Sequence, residues 1–309
     1  MWGTSGSGKT LLLAEALKMK ISQLKREGKQ VRVIISAMTN TEFLMKDLEA
    51  KYLPDLAGDD NARFISLPDL ARELKCEHDT AHPQLYIEKI LSSLSSQHSS
   101  SSPHTILLVD EVNPMSKDEK EKDSCTADWS ELTNRDGVDC LISLQTYTDS
   151  RSLFNVVPPH NKHIVGQRLL TPHRNCAKIG TFLKYTIHHT GGAYLTTEDD
   201  QQAKHLPPGR PPVWVERVRE VTDDQVLDFI NENFLDEIKG GTVLHQQGNP
   251  SGAAARWCTS NSGWRYVEAP KMVGSEDQQV VLMDVGLAPE YLSRGRNLLV
   301  IVTTRGKER

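Results

Sequence analysis

The sequence lacks any apolar run near the roughly 18 residues that a membrane-spanning helix needs, and it shows no secretory signal. Aromatic residues make up only 6% of its 309 residues. Neither sign of charge dominates, since the formal net charge is −5. We therefore expect no association with a membrane and no chain-wide basic surface, although a local basic groove stays open.

Paired cysteines are also missing, because the five cysteines are dispersed and none forms a C-x-x-C motif. An odd, scattered set argues against a disulfide framework and against a zinc site. We expect reduced thiols, and hence a cytoplasmic or nuclear protein.

What the sequence does contain is a regular alternation of short apolar runs and amphipathic segments. The apolar runs predict strands at 31–36, 63–66, 105–112, 138–144, 213–218, 242–245, 279–285 and 298–303. Helical spacing predicts helices at 10–26, 39–52, 67–75, 84–94, 177–188 and 222–239. This order predicts an α/β fold with mostly parallel sheets and helices on both faces, giving three layers.

The length favours two domains. We place the first at 1–154 and the second at 163–309, joined by a linker with two consecutive prolines at 155–162. A serine-rich segment at 92–102 is expected to be a surface loop in the first domain.

The strongest motif is a glycine-rich loop that fits G-x-x-x-x-G-K-[ST] at every fixed position. It consists of Gly3, Thr4, Ser5, Gly6, Ser7, Gly8, Lys9 and Thr10. Glycines let backbone N–H groups turn inward around a phosphate, and the following helix presents its positive end to it. We expect Lys9 to contact the β- and γ-phosphates of ATP or a related nucleotide, and Thr10 to ligate Mg²⁺.

A second motif is the apolar strand 105–112, which contains Asp110 and Glu111 near its end. In P-loop enzymes the first acid holds magnesium and the second polarises the attacking water. We assign those roles to Asp110 and Glu111. Without the loop, two exposed acids at the end of a strand would be the simpler interpretation.

Three further segments, taken with the loop and the acidic strand, resemble the core of UvrD/Rep-like superfamily 1 helicases. They are Leu170–Asn175 (LTPHRN), Gly274–Leu282 (GSEDQQVVL) and Tyr291–Leu298 (YLSRGRNL). The resemblance covers nearly the whole chain and implies two RecA-like domains with the nucleotide between them. It implies that Arg174 reaches the γ-phosphate, that Arg294 is an arginine finger, and that Glu276 contacts the ribose or nucleic acid. An arginine from a second domain couples hydrolysis to domain closure.

The sequence departs from that family in three respects. The strand expected before the loop is missing, together with the segment that contacts the adenine, so we expect an N-terminal truncation or a partial gene model. Gln145 stands where the GDxxQ motif supplies a γ-phosphate sensor, but no aspartate precedes it. No room is left for the inserted subdomains that grip a duplex.

Three functions are open on these observations. The first is an ATP-hydrolysing, helicase-like motor with single-stranded nucleic acid across both domains. The second is a nucleotide-dependent signalling or scaffold switch that is read by a protein partner and does not act on nucleic acid. The third is a degenerate fragment that binds little. Two interpretations are likewise open for Trp257 and Trp264, which would either stack on bases or pack in the core.

Overall fold

The chain separates into two units in the computed structural model, the first holding the described residues up to Leu169 and the second those from Asn175 onward. The predicted linker at 155–162 lies outside the described residues. The structure describes residues 2–3, 8–38, 42–76, 83–99, 101–112, 135–145, 168–169, 175–189, 207, 209–235, 240–272, 276–286, 289–292 and 294–305.

The sheet of the first unit is parallel throughout. Its strands are β1 (Trp2–Gly3), β2 (Val31–Ala37), β3 (Ala62–Phe64), β4 (His104–Val112), β5 (Val138–Gln145) and β6 (Arg168–Leu169). They lie in the order β3-β2-β4-β5-β1-β6. Because β6 pairs with β1, this unit extends beyond residue 154, where the sequence pattern ended the first domain.

Helices cover both faces of this sheet, as its apolar runs predict. They are α1 (Lys9–Arg26), α2 (Glu42–Asp47), α3 (Leu67–Glu73) and α4 (Pro83–Ser96). On one face, α1 packs Leu13 and Leu17 against alternate residues of β2 and β4. On the other face, α3 and α4 bury Leu70 and Ile87 against the intervening residues of the same strands. The predicted α/β arrangement in three layers is confirmed for this unit.

Three local predictions in the first unit need correction. The segment 92–102 is not a loop throughout, because α4 continues to Ser96. The helix predicted at 39–52 is described from Glu42, and its last turn, Leu48–Tyr52, is π-helical. The strand said to be missing before the phosphate loop exists as the two-residue β1, between β5 and β6.

The second unit contains another parallel sheet. Its strands are β7 (Val213–Arg217), β8 (Gly241–His245), β9 (Trp264–Glu268), β10 (Asp277–Met283) and β11 (Gly295–Thr304). They lie in the order β7-β11-β10-β8-β9. Two all-parallel sheets with helices confirm the predicted fold class and are consistent with two RecA-like domains.

The helices of the second unit are α5 (Ala177–His189), α6 (Asp223–Asn233), α7 (Gly252–Ser260) and the single turn α8 (Pro289–Leu292). The sequence pattern predicted neither α7 nor β9. Trp257 of α7 is buried, meets Trp264 edge to face at 5.4 Å and donates to Asp228 at 2.7 Å, so it belongs to the core. None of the helices in the described parts of either unit is both long and apolar enough to cross a bilayer.

Candidate functional site

The start of α1 has the form that the phosphate loop predicts. Gly8 precedes the helix in a left-handed conformation, with φ +85°, and its carbonyl accepts the N–H of Leu12 at 3.0 Å. Lys9 is buried, and no acidic side chain occupies the first turn. No carboxylate in the first turn of this 18-residue helix therefore neutralises its positive amino end, which is suited to an anion. Thr4, Ser5, Gly6 and Ser7 lie outside the described residues.

Thr10 and Asp110 are far apart in sequence but meet in the structure. The Thr10 hydroxyl donates to Oδ2 of Asp110 at 2.8 Å, and Asp110 is only 1% exposed. The contact arises because α1 packs on the face of β4 to which Asp110 points, along with Ile106 and Leu108. The two residues expected to hold magnesium are thus neighbours.

Glu111 occupies an unusual backbone position at the same place. Its φ is +56°, a region that side-chain-bearing residues seldom adopt, and the residue is buried. The pairing of β4 with β5 shifts register here, so that Asp110 and Glu111 together lie opposite the single residue Ser143. Such a β-bulge redirects side chains at the end of a strand. Both acids therefore lie near the carboxyl end of β4, the same end of the sheet at which β1 reaches Gly3 beside Gln145.

Ser143 is a residue of this cluster that the sequence pattern did not identify. Its hydroxyl donates to Oδ1 of Asp110 in a short contact and accepts the N–H of Glu111 at 3.1 Å. The side chain is completely buried. The available signal was a hydroxyl group near the end of an otherwise apolar strand, in the same alternation as Leu141, which packs against the cluster around α1.

Gln145 is the last residue of β5, and it pairs in register with Gly3 of β1. Because β5 lies between β4 and β1, the backbone of Gln145 stands between the acidic pair and the start of the phosphate loop. That placement suits the sensor expected from the GDxxQ comparison. The role of its side chain stays a prediction.

In the second unit, Glu276 and Arg294 lie side by side. Each directly precedes a strand of the adjacent pair β10 and β11, and the N–H of Asp277 donates to the carbonyl of Arg294 at 3.1 Å. Glu276 is buried and forms a short ion pair with Arg296. Arg294 is completely buried, so its guanidinium is enclosed by protein rather than presented to solvent.

The residues directly after Arg174 contact the amino end of β11, next to Glu276 and Arg294. Asn175 donates from Nδ2 to the carbonyl of Gly295 at 2.6 Å, and the N–H of Cys176 donates to the carbonyl of Arg296 at 2.8 Å. Arg174 itself lies outside the described residues. The described parts of all three helicase-like segments therefore meet at the amino ends of β10 and β11.

The residues present fit a nucleotide with magnesium. Hydroxyl and carboxylate oxygens such as those of Thr10 and Asp110 are ligands that Mg²⁺ prefers. Across the described ranges, no group of three or more His, Cys, Asp or Glu side chains is arranged to hold a metal. Magnesium bound together with a nucleotide usually takes several of its ligands from phosphate oxygens and water.

No protein family and no curated protein matches the chain. Among solved structures, the arterivirus nonstructural protein 10 helicase is similar at 13% identity over 98% of this chain, with a TM-score of 0.38. The chain spans 59% of that helicase. ATPases 2 and 3 of EssC from Geobacillus thermodenitrificans are similar at 11% identity, covering 98% of this chain and 78% of that one, with a TM-score of 0.25. These likenesses are too distant to bear on activity.

Proposed function

We propose that the chain binds ATP or a related nucleoside triphosphate with magnesium and hydrolyses it at the start of α1. The observation that supports this most is the 2.8 Å hydrogen bond between Thr10 and Asp110, directly after the buried Lys9. A hydroxyl and a carboxylate held together at the positive end of a helix are suited to a phosphate-bound cation.

Each residue of this site has a separate task. Lys9 and the backbone of residues 3–8 bind and orient the phosphates, while Thr10 and Asp110 hold magnesium. Magnesium, when bound, neutralises charge on the phosphate oxygens. Glu111 takes the proton of the attacking water as a general base. Gln145 senses the γ-phosphate from the strand between the acids and the loop.

The finer proposal is a motor of the UvrD/Rep type that acts on single-stranded nucleic acid. Its support is that the described parts of three helicase-like segments meet at the amino ends of β10 and β11. Glu276 lies beside Arg294 there, and Asn175 donates a hydrogen bond to the carbonyl of Gly295. In this proposal Arg174 and Arg294 act on the γ-phosphate. Because Arg294 is enclosed, its side chain must become accessible before it can do so.

The alternative is a nucleotide-dependent switch that is read by a protein partner. The formal net charge of −5 favours this alternative, since proteins that bind a phosphate backbone are generally basic. The nucleotide site is the same in both proposals. They differ only in whether nucleic acid changes the rate of hydrolysis.

The test is the steady-state ATPase rate with and without single-stranded DNA or RNA, for the wild type and for Glu111→Gln. We expect hydrolysis by the wild type, and a rate lower by about 10²–10⁴-fold in the variant, with nucleotide binding retained. Stimulation by nucleic acid that is lost in the variant supports the motor. Hydrolysis that is indifferent to nucleic acid supports the switch, whereas unchanged hydrolysis by Glu111→Gln rejects Glu111 as the base.

A further inference from the structure

Ser143 lies on the strand that separates the acidic strand from the phosphate-loop strand. β5 is flanked by β4 and β1, and Ser143 is two residues from its end. Side chains alternate along a strand, so Ser143 shares the α1 face with Leu141, while Cys140 and Ile142 face the opposite cluster. The one hydroxyl on this face of β5 therefore points to the same side as Asp110.

The hydroxyl of Ser143 uses both its donor and its acceptor within the site. It donates to Oδ1 of Asp110 and accepts the N–H of Glu111 at 3.1 Å. Oδ1 of Asp110 also accepts the N–H of Glu111, at 2.9 Å. Oδ1 of Asp110 is thus occupied by the hydroxyl of Ser143 and the N–H of Glu111, while Oδ2 accepts the hydroxyl of Thr10.

The same serine stands at the centre of the β-bulge. Val109 pairs with Ile142 and Val112 pairs with Leu144, which leaves Ser143 opposite both acids. Glu111 adopts φ +56° there, and its N–H is bonded to the side chains of Asp110 and Ser143. A conformation that a glutamate seldom adopts persists only where neighbouring groups hold it.

We propose that Ser143 is a positioning residue for magnesium and for the general base, an inference that rests on the proposed nucleotide site. It orients Asp110 so that Oδ2 faces Thr10 and the metal, and it fixes the backbone of Glu111 in the bulge. Residues that orient a metal ligand typically change metal affinity or activity about 10–100-fold when they are removed.

The test compares Ser143→Ala with a matched control, Ser36→Ala. Ser36 is a completely buried serine near the end of the neighbouring β2, and its Oγ has no hydrogen-bond partner within the described structure. Both changes remove one buried hydroxyl from the same sheet. Mn²⁺ serves as the probe, and its binding in the presence of a non-hydrolysable ATP analogue is followed by electron paramagnetic resonance.

We expect Ser143→Ala to weaken Mn²⁺ binding about tenfold or more, while binding of the analogue without metal is unchanged. Ser36→Ala should bind Mn²⁺ as the wild type does. If Ser143→Ala does not fold, Ser143→Cys is measured instead, since its Sγ fills the position of the serine Oγ while a thiol hydrogen-bonds only weakly. Melting temperatures separate a loss of metal affinity from a general loss of stability.

Two results would overturn the inference. The first is wild-type Mn²⁺ affinity in a folded Ser143 variant. The second is a loss of Mn²⁺ affinity in Ser36→Ala equal to that in Ser143→Ala. Either result would leave the proposed function intact. A wild-type chain that binds neither the analogue nor Mn²⁺ rejects the proposed function itself, and the role of Ser143 with it.

Discussion

At the scale of single residues, the candidate site includes a glycine whose left-handed backbone conformation residues with a side chain rarely adopt. Gly8 directly precedes α1 with φ +85°, and a Cβ built there would meet none of the described atoms within 4 Å. Gly28, after the end of the same helix, has φ +74° and equally open surroundings. The two glycines therefore face the same backbone cost on substitution, but only Gly8 lies in the phosphate loop.

This pair gives a controlled prediction. Gly8→Ala and Gly28→Ala should each lower the free energy of unfolding by about 1–2 kcal/mol, because alanine is strained in the left-handed region. Only Gly8→Ala should also weaken nucleotide binding, measured by calorimetry beside chemical denaturation. Equal nucleotide affinities in the two variants would remove Gly8 from the site.

A second residue-scale prediction concerns Cys258, which lies in the core cluster of the second unit. Burial raises the pKa of the Cys258 thiol to about 12. The reactive thiolate is therefore scarce between pH 7 and about 9. We expect iodoacetamide to leave Cys258 unmodified in the native protein and to label it after unfolding, as read by mass spectrometry. Labelling of the native protein at the unfolded rate would contradict this burial.

At the scale of elements, most strands were well predicted because their apolar runs are short, β-branched and buried, whereas β1, β6 and β9 were not predicted. β4 was expected at 105–112 and occupies 104–112. Helix ends were predicted less well, because packing decides them. The helix expected at 222–239 is described only to Asn233, and Phe234 turns back to meet Phe229 edge to face at 5.8 Å.

The π-helical turn after α2 shows why local spacing was insufficient there. Leu48 and Leu53 are both completely buried in the cluster under α1, and the N–H of Leu53 donates to the carbonyl of Leu48 at 2.8 Å. That five-residue closure brings the two leucines to one side of the turn. The contact depends on the strands below, which no local pattern reveals.

The candidate site could be proposed from the sequence where a motif has fixed spacing, but not where contacts cross the sheet. The loop and the acidic pair could be proposed because each is continuous in sequence. Ser143 was missed, since its partners are 33 and 32 residues away and depend on the register of β4 with β5. The pairing of Glu276 with Arg296 was missed for the same reason.

A prediction at this scale concerns the cap of α3. Ser66 accepts the N–H of Asp69 at 3.2 Å and donates to its carboxylate at 2.5 Å, closing the first turn. Ser66→Ala should lower the free energy of unfolding by about 1 kcal/mol. Urea denaturation measures the change, with exposed Ser99→Ala as a control of no expected effect. Equal midpoints for the two variants would contradict the capping role.

The Ser66 cap also has a pH dependence. Hydrogen bonds to the Asp69 carboxylate lower its pKa; the larger effect comes from the hydroxyl of Ser66 and the smaller from Arg72. A carboxyl group with a lowered folded pKa stabilises the fold above its unfolded pKa, and this contribution is lost as pH falls through the folded value. The difference in stability between the wild type and Ser66→Ala should therefore shrink at acid pH.

At the scale of the whole molecule, two parallel sheets present their predicted residues at different ends of the strands. In the first unit, Asp110, Glu111 and Gln145 are at or near carboxyl ends, where open α/β sheets bind ligands. In the second unit, Glu276 and Arg294 precede their strands. The predicted strands already placed Asp110 and Glu111 near a strand end and the other two residues before strands. What the sequence pattern could not reveal is that β10 and β11 are neighbours, which brings Glu276 beside Arg294.

The most direct test of the central claim is the binding of Mg²⁺ and ATP by calorimetry to the wild type and to Lys9→Ala. We predict saturable, magnesium-dependent binding by the wild type and a loss of at least about a hundredfold in the variant, with an unchanged melting temperature. Equal binding by a folded Lys9→Ala would contradict the nucleotide site at the start of α1.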